Sequence, residues 1–471
     1  VEYLLAQGRA GEAEQVLAQG KANAASQDGF ELIHAAIALS NGDLAGARER
    51  RDAAFKKELP EPPGIVRWAT LFARQGHLDA GIETIDLAAA RQPTEVLQAT
   101  IAFERVALAL RYGTPEKALA AFEEIAIPSN AMQRLTQRRG EMRLALIQSF
   151  LNSAGPGHEM TGERLLSEFE SENPEDKDAK LFRAQLLLRK GESHFDETIA
   201  LARELTEDAP GYIQASAWYI LHRIAAARRE TSNALAHAQK AAELAPNRPS
   251  FQLAYAEALL SAGDYRGART ELQKITAADP NNIPALENLF RAFGALGQTA
   301  QAEETYNRLE VLLENEPSGD EILPVLQAQL ASLRGDLSTA EATFRQRFND
   351  DPDNFNNLRD LVFFLNGQRK TQEAEQLVRN FCAVNPESPE AWTLLGSILS
   401  SRSNQISLMD AASAFARAIF VDVNHAPARR QLINAQARLG NIGTAIGLCN
   451  DYLKRHPNDA DVWYEKDSLI E

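Results

Sequence analysis

Cysteine is nearly missing from this sequence. Cys382 and Cys449 are the only two in 471 residues, too few for a disulfide framework and without the C-x-x-C spacing of zinc or dithiol chemistry. Long apolar runs are missing as well: no stretch of about 18 uninterrupted apolar residues occurs, so no segment reads as a membrane-spanning helix. Neither G-x-x-x-x-G-K-[ST] nor G-x-G-x-x-G is present, which removes the usual backbone cradles for phosphate. Basic charge is short: 49 Lys and Arg against 65 Asp and Glu leave a formal charge of -16. That balance repels a phosphate backbone or an anionic bilayer, so neither nucleic acid nor a membrane surface is an expected partner. No secretory signal is visible. The chain opens at Val1, inside what reads as a structural unit, and this leaves room for a removed signal or anchor.

What is present is ordinary globular material, 44% hydrophobic and 24% charged, able to bury a large core. Its length would make two to four ordinary domains unless the chain is a repeat array. Small residues in matching contexts decide for the array. Ala234, Ala268, Ala302, Ala340, Ala374, Ala411 and Ala445 follow one another at spacings of 34, 34, 38, 34, 37 and 34, and Ala13, Ala47 and Gly81 are again 34 apart. Ala118, Gly162 and Thr198 continue the series more loosely.

Two further markers run in phase. Gly8, Gly42, Gly76, Gly263, Gly297, Gly335 and Gly440 each precede their small residue by a few positions, where a helix C-terminus wants a residue free to turn left-handed. Asp43, Asp264, Asp336 and Asn441 follow directly and read as caps of the next helix. Pro93, Pro210, Pro246, Pro280, Pro352, Pro386 and Pro457 close units, since proline biases the residue before it away from the helix. Each unit is helix, turn, helix, proline turn.

These residues resemble the tetratricopeptide repeat (TPR) family, whose pattern is W-x2-L-G-x2-Y, then A-x3-F, then P. Trp392-Thr393-Leu394-Leu395-Gly396, followed by Leu399, is the fullest match, supported by Ala118 with Phe122, Ala302 with Tyr306, Ala340 with Phe344 and Ala411 with Phe415. The expected fold is all-α: a right-handed superhelical TPR solenoid of about twelve helix-turn-helix repeats with partial repeats at both ends. Units begin near Asp28, Pro62, Val96, Arg143, Asp178, Ala215, Pro249, Ile283, Glu321, Phe355, Pro389 and Ala426. One continuous array divides into residues 1–175, with irregular repeats, a central part 176–320 and a C-terminal part 321–471. Residues 153–157, 315–319 and 400–407 read as loops. Val1 to Gly8 reads as the tail of an incomplete helix and 460–463 as a restart. Either the chain is a segment of a longer protein or its last helix is a cap.

In the unit from Pro249, Tyr255, Leu259, Leu272 and Ile275 mark an apolar stripe of helical period and are expected in the core. The resemblance implies that first helices line a concave groove that takes an extended peptide or a partner helix. Carried over by position, the groove comprises Tyr219, Arg223, Leu253, Glu257, Glu287, Arg291, Val325, Gln329, Asn356, Arg359, Phe363, Thr393, Ser397, Arg430 and Asn434. Four of these are arginines on an acidic chain. Either they hold an acidic segment of a protein partner through bidentate contacts, or they pair with Glu257, Glu287 and neighbouring acids as a solvated face. The lysine and asparagine clamp of chaperone-binding members is absent: Asn288 sits near one such position, but Leu253 and Glu257 stand where the preceding unit needs the others.

Other candidates reduce to structure. His158-Glu159 has no second histidine and reads as a loop. Residues 350–354 resemble a calcium loop in composition alone and serve as a helix stop and start. Arg134, Arg138, Arg139 and Arg143 read as a solvated helix face. Trp68, Trp218, Trp392 and Trp463 fall near core positions, and the two cysteines read as apolar fillers. With no catalytic, metal or cofactor constellation, the expectation is a noncatalytic scaffold for protein partners, of bacterial type by its alanine- and glutamine-rich repeats. Its setting is a cytoplasmic adaptor or the repeat arm of an envelope or exopolysaccharide-export assembly. The alternative is the regulatory or docking arm of an enzyme such as a glycosyltransferase.

Overall fold

The computed structural model describes residues 28–128, 133–314, 316–402, 404–423, 425–455, 457 and 460–470, together with Glu12, Gln15 and Val16. The markers at Gly8 and Ala13 and the opening helix tail lie outside the described residues.

Helix formation follows the composition: alanine and leucine are frequent in the helices, and prolines stand in turns or first helical turns, with Pro324 inside α17 the exception. The described residues fold into twenty-five α-helices. In the first part of the chain these are α1 (Asp28–Ser40), α2 (Leu44–Lys57), α3 (Pro62–Arg74), α4 (Leu78–Ala89), α5 (Glu95–Tyr112), α6 (Pro115–Glu123), α7 (Gln133–Asn152), α8 (His158–Glu172) and α9 (Lys177–Lys190). There follow α10 (Phe195–Glu207), α11 (Gly211–Ala227), α12 (Thr231–Leu244), α13 (Pro249–Ser261), α14 (Tyr265–Ala278), α15 (Ile283–Ala295), α16 (Thr299–Leu313), α17 (Gly319–Leu333) and α18 (Leu337–Asp350). The last are α19 (Phe355–Gly367), α20 (Thr371–Val384), α21 (Pro389–Ser400), α22 (Gln405–Val421), α23 (Ala426–Arg438), α24 (Ile442–Arg455) and α25 (Ala460–Ile470).

Paired in order, they make helical hairpins in the expected phase, with local departures. The helix placed at Arg143 begins at Gln133, ten residues earlier, because Leu135 is buried against α5 and α6 and extends the apolar stripe backwards. The loop expected over 400–407 is shorter: α22 starts at Gln405, capped by Asn404. His158 opens α8 instead of lying in a loop.

The turns work as their residues require. Gly42, Gly76, Gly263, Gly297, Gly335 and Gly440 all have left-handed φ, and Asp43, Asp264 and Asp336 accept from backbone N–H groups three residues on. At Asn441 the side-chain amide instead donates to Gln436 Oε1 at 2.8 Å. Two hairpins put arginine where these six have glycine: Arg229 (φ 56°) and Arg369 (φ 60°). A side chain held left-handed costs about 1–2 kcal/mol, of which glycine returns part as added freedom of the unfolded chain. Arg369→Gly is therefore expected to stabilise by about 0.5 kcal/mol; a lowered melting temperature would contradict this.

Two compact units emerge, Val1–Leu186 and Leu187–Glu471. In each, every helix packs on the next, and first helices also touch one another: α1 on α3, α3 on α5 and α5 on α7 in the first unit, α13 on α15, α19 on α21 and α21 on α23 in the second. Cores accordingly run across hairpin boundaries, as in the cluster from Ala256 to Leu330 and that from Ala328 to Ala435. Ala47, Ala118, Ala268, Ala302, Ala340, Ala374, Ala411 and Ala445 are completely buried. The reason for small residues is visible at Gly81, where a Cβ would lie 2.7 Å from the Ala69 carbonyl oxygen of the partner helix. Leu259, Leu272 and Ile275 are core, while Tyr255 is half-buried at its edge.

The arginine cluster is a solvated face only in part: Arg134 and Arg139 are exposed, while Arg138 and Arg143 are half-buried. Arg138 pairs with Glu104 and lies over Phe103, Arg139 lies over Phe122, and Arg143 reaches Glu172 at 2.7 Å and lies over Phe169. These rings belong to neighbouring helices, so the cations act as ties between elements. Arg51 does the same where it is 1% exposed: it donates to Thr84 and Glu83 at 3.2 Å each and lies 5.8 Å from the Phe72 ring centroid.

Among the tryptophans, Trp68 is buried and Trp218 and Trp392 are half-buried, but Trp463 is 43% exposed. No later helix among the described residues covers that side of α25. Its indole still donates to the Pro457 carbonyl at 2.9 Å, as Trp392 does to Pro386, so α25 starts its unit as α21 starts its own.

Candidate partner-binding groove

In the second unit, the first helices of successive hairpins expose part of their length around two adjoining cavities. The first, of about 410 Å³, lies among α15, α17 and α19 and is lined by Phe290, Arg291, Gly294, Gln329, Leu333, Phe344, Asp360, Phe363, Phe364 and Gly367. The second, of about 480 Å³, lies among α19, α21 and α23 and is lined by Phe355, Arg359, Phe363, Glu390, Thr393, Ser397, His425, Arg430, Gln431 and Asn434. Phe363 belongs to both, and at 60% exposure it is an aromatic ring left in solvent. An apolar compartment and a polar one thus share a wall.

The groove residues expected from position divide accordingly. Arg291, Gln329, Phe363, Arg359, Thr393, Ser397, Arg430 and Asn434 are brought together here. Tyr219, Arg223, Leu253, Glu257, Glu287, Val325 and Asn356 line neither cavity. Tyr219 is spent on packing, its ring 4.9 Å from that of Phe251 and 6.0 Å from His222. Arg223 and Asn356 are exposed, Val325 packs against the core, and Glu257 accepts from the buried Asn288 amide at 3.0 Å. That bond consumes the one asparagine that could have belonged to a carboxylate clamp. Burial raises the Glu287 carboxyl above the usual range, against the pull of Arg291.

Arg223, Arg291 and Arg359 make no ion pair with another helix among the described residues. Arg359 donates to its own neighbour Asp360 at 3.2 Å. Arg430 donates to the backbone carbonyl of Arg229. The Thr393 and Ser397 hydroxyls donate to their own helix at 2.7 and 2.9 Å, which leaves their lone pairs toward the groove's contents.

Position within the repeat located the inward-facing polar residues. It missed the apolar floor of Phe290, Leu333, Phe344 and Phe364, although the Phe363-Phe364 pair, one ring outward and one buried, was a visible signal. Gly367 could also have been noticed: a Cβ there would meet nothing within 4 Å. No one-dimensional signal marked Arg229 and Thr231, which reach the second cavity from a distant hairpin, or Glu465 on α25, the helix after the α23–α24 hairpin.

No nucleophile or metal set lies in the groove. Cys382 and Cys449 are buried in cores, and burial pushes both thiols up to about 11. Among the described residues no cluster of three His, Cys, Asp or Glu could hold a metal ion, and no helix is long and apolar enough to cross a membrane. The acids of 350–354 belong to the helix ends, Asp351 closing α18 and Asn354 capping α19.

Stacked helical hairpins whose first helices line open cavities define a helical-repeat scaffold. Residues 195–319 match the family model of the cytochrome c-type biogenesis protein H TPR domain, and residues 407–460 match a tetratricopeptide repeat model. The chain thus carries tetratricopeptide-type repeats over these two stretches. Among solved structures it is similar to the crystal structure of the APC/C hetero-tetramer Cut9-Hcn1, at 14% identity over 98% of this chain and 93% of that one, with a TM-score of 0.33. It is also similar to yeast Tom70, at 12% identity over 94% and 96% of the two chains, with a TM-score of 0.42. A comparison with curated proteins found no match.

Proposed function

We propose that the chain is a noncatalytic scaffold that holds an extended segment of a partner protein along α15, α17, α19, α21 and α23. The observation that carries this reading is the exposed Phe363 ring between an apolar cavity and an arginine-bearing one. A soluble surface rarely leaves such a ring uncovered beside a concavity without a use for it. Phe363 anchors an apolar side chain of the partner, and Arg291, Arg359 and Arg430 receive its carboxylates.

The test is a peptide-display selection on the purified protein, followed by affinity measurement with the selected peptides. Phe363→Asp is expected to weaken them by at least about tenfold, the loss of one aromatic anchor. Changing Arg291, Arg359 and Arg430 together to glutamate should remove the salt dependence of binding. Peptides held equally by the wild type and both variants would place the site elsewhere.

A second reading is favoured by the match of residues 195–319 to the TPR domain of a cytochrome c-type biogenesis protein: the partner is then a protein under assembly, and the groove holds it in transit. An envelope assembly and the docking arm of an enzyme are further settings for the same groove.

A further inference from the structure

We infer that the second unit closes on itself through a polar clasp, and that release of this clasp admits a partner to the groove. The clasp joins residues 201 apart in sequence: Arg430 on α23 donates from Nη1 to the Arg229 carbonyl in the α11–α12 turn. Neither helix uses that carbonyl. The first backbone bond of α12 runs from Ala234 to Glu230, and Arg229 has already left α11 in a left-handed conformation.

Independent contacts place the same elements together. α12 packs against α25, and Arg229 and Thr231 wall the second cavity opposite Asn434 and Glu465. Asp422, just before α23, lies near enough to Glu192, just before α10, to add to the rise that burial imposes on the Glu192 carboxyl. The polar cavity is therefore closed by a turn six hairpins upstream of α23.

This junction differs from every other in the unit. Consecutive hairpins share a buried apolar seam, whereas the clasp is a hydrogen bond between a half-buried arginine and a turn carbonyl. Polar contacts near solvent stabilise less than such a seam, so the ring parts here first. Arg229, Arg430 and His425 meet there with Glu390, Glu465 and Asp422, so the closed form is held by polar and charged groups of both signs.

Cysteine chemistry tests the clasp without any partner, because the buried native thiols stay unreactive. Thr231→Cys with Glu465→Cys should cross-link through a short bis-maleimide about tenfold faster than Thr231→Cys with Ser413→Cys, as expected when two groups share a confined volume. Arg430→Ala should slow that cross-link several-fold while far-UV circular dichroism stays unchanged. In a protein carrying Ser397→Cys, Arg430→Ala should speed labelling by a bulky polyethylene-glycol maleimide and leave N-ethylmaleimide labelling unaltered. Cross-linking no faster than in the control pair would overturn the closure, and bulky labelling indifferent to Arg430→Ala would overturn the gating. Either failure concerns the clasp alone, since the groove is judged by peptide affinity at Phe363.

Discussion

Arginine in place of Ala374 is expected to cost at least about 3 kcal/mol. Ala374 is completely buried on α20, within the core that spans Ala328 to Ala435. Its methyl group fills a helix crossing, so a larger side chain must push two backbones apart. The guanidinium would also be carried into a region whose carboxylates all lie outside, and an unpaired buried charge is among the most damaging single changes. Because a repeat array is held together by nearest-neighbour interfaces, the damage should be regional. Thermal unfolding followed by far-UV circular dichroism should show an early transition for the hairpins around α20 while the first unit melts as before. An unchanged melting curve would show that Ala374 does not lie at a close crossing.

Acidification between pH 6.5 and about 4 should destabilise the second unit, and His237 should account for a distinct part of that loss. Burial of the His237 ring, which lies 5.2 Å from that of Trp218, lowers its pKa from the ordinary value to about 4, with Arg203 and His222 pushing the same way. In that window the unfolded chain binds a proton at this ring and the folded chain does not, so stability falls as pH falls. Above pH 6.5 the stability is fully present, and below about 4 both forms are protonated and the loss stops growing. A shift of this size would amount to about 3.4 kcal/mol in full, and solvent screening at a half-buried ring reduces it to about 2 kcal/mol. His237→Phe keeps an aromatic ring against Trp218 and removes the proton site. Its stability profile from urea titrations should be flatter than that of the wild type by this amount. His425, lowered by burial, contributes to the slope in both proteins and cancels in the difference, whereas His222, also lowered by burial and coupled to His237, cancels only in part. Parallel profiles would mean that His237 is protonated in the folded state.

How far the fold could be read in one dimension is clear from single positions. Ala268 and Ala374 announced a helix crossing by their size and period, and Gly263 and Gly335 announced left-handed turns by their phase. Both are local requirements, met or failed within a few residues of the position itself. Arg369 shows the limit: its left-handed turn is imposed by the hairpin against the residue's own preference, so no local signal marks it. Arg138 and Arg143 were misread for a related reason. An arginine series on one helix reads as solvated until the aromatic rings and acids of neighbouring helices are in place.

The groove divides along the same line. Helical period and repeat phase are local properties, so the sequence could propose part of the lining of the two cavities. That was enough for Arg291, Gln329, Phe363, Arg359, Arg430 and Asn434. Tertiary structure alone decided that Tyr219 is spent on Phe251, that four apolar side chains floor a cavity beside Phe363, and that the α11–α12 turn meets α23. The small rotation between hairpins is set by how their side chains interlock, and it accumulates along the array. Where two distant hairpins meet is therefore a sum over many contacts, which no single residue or spacing encodes.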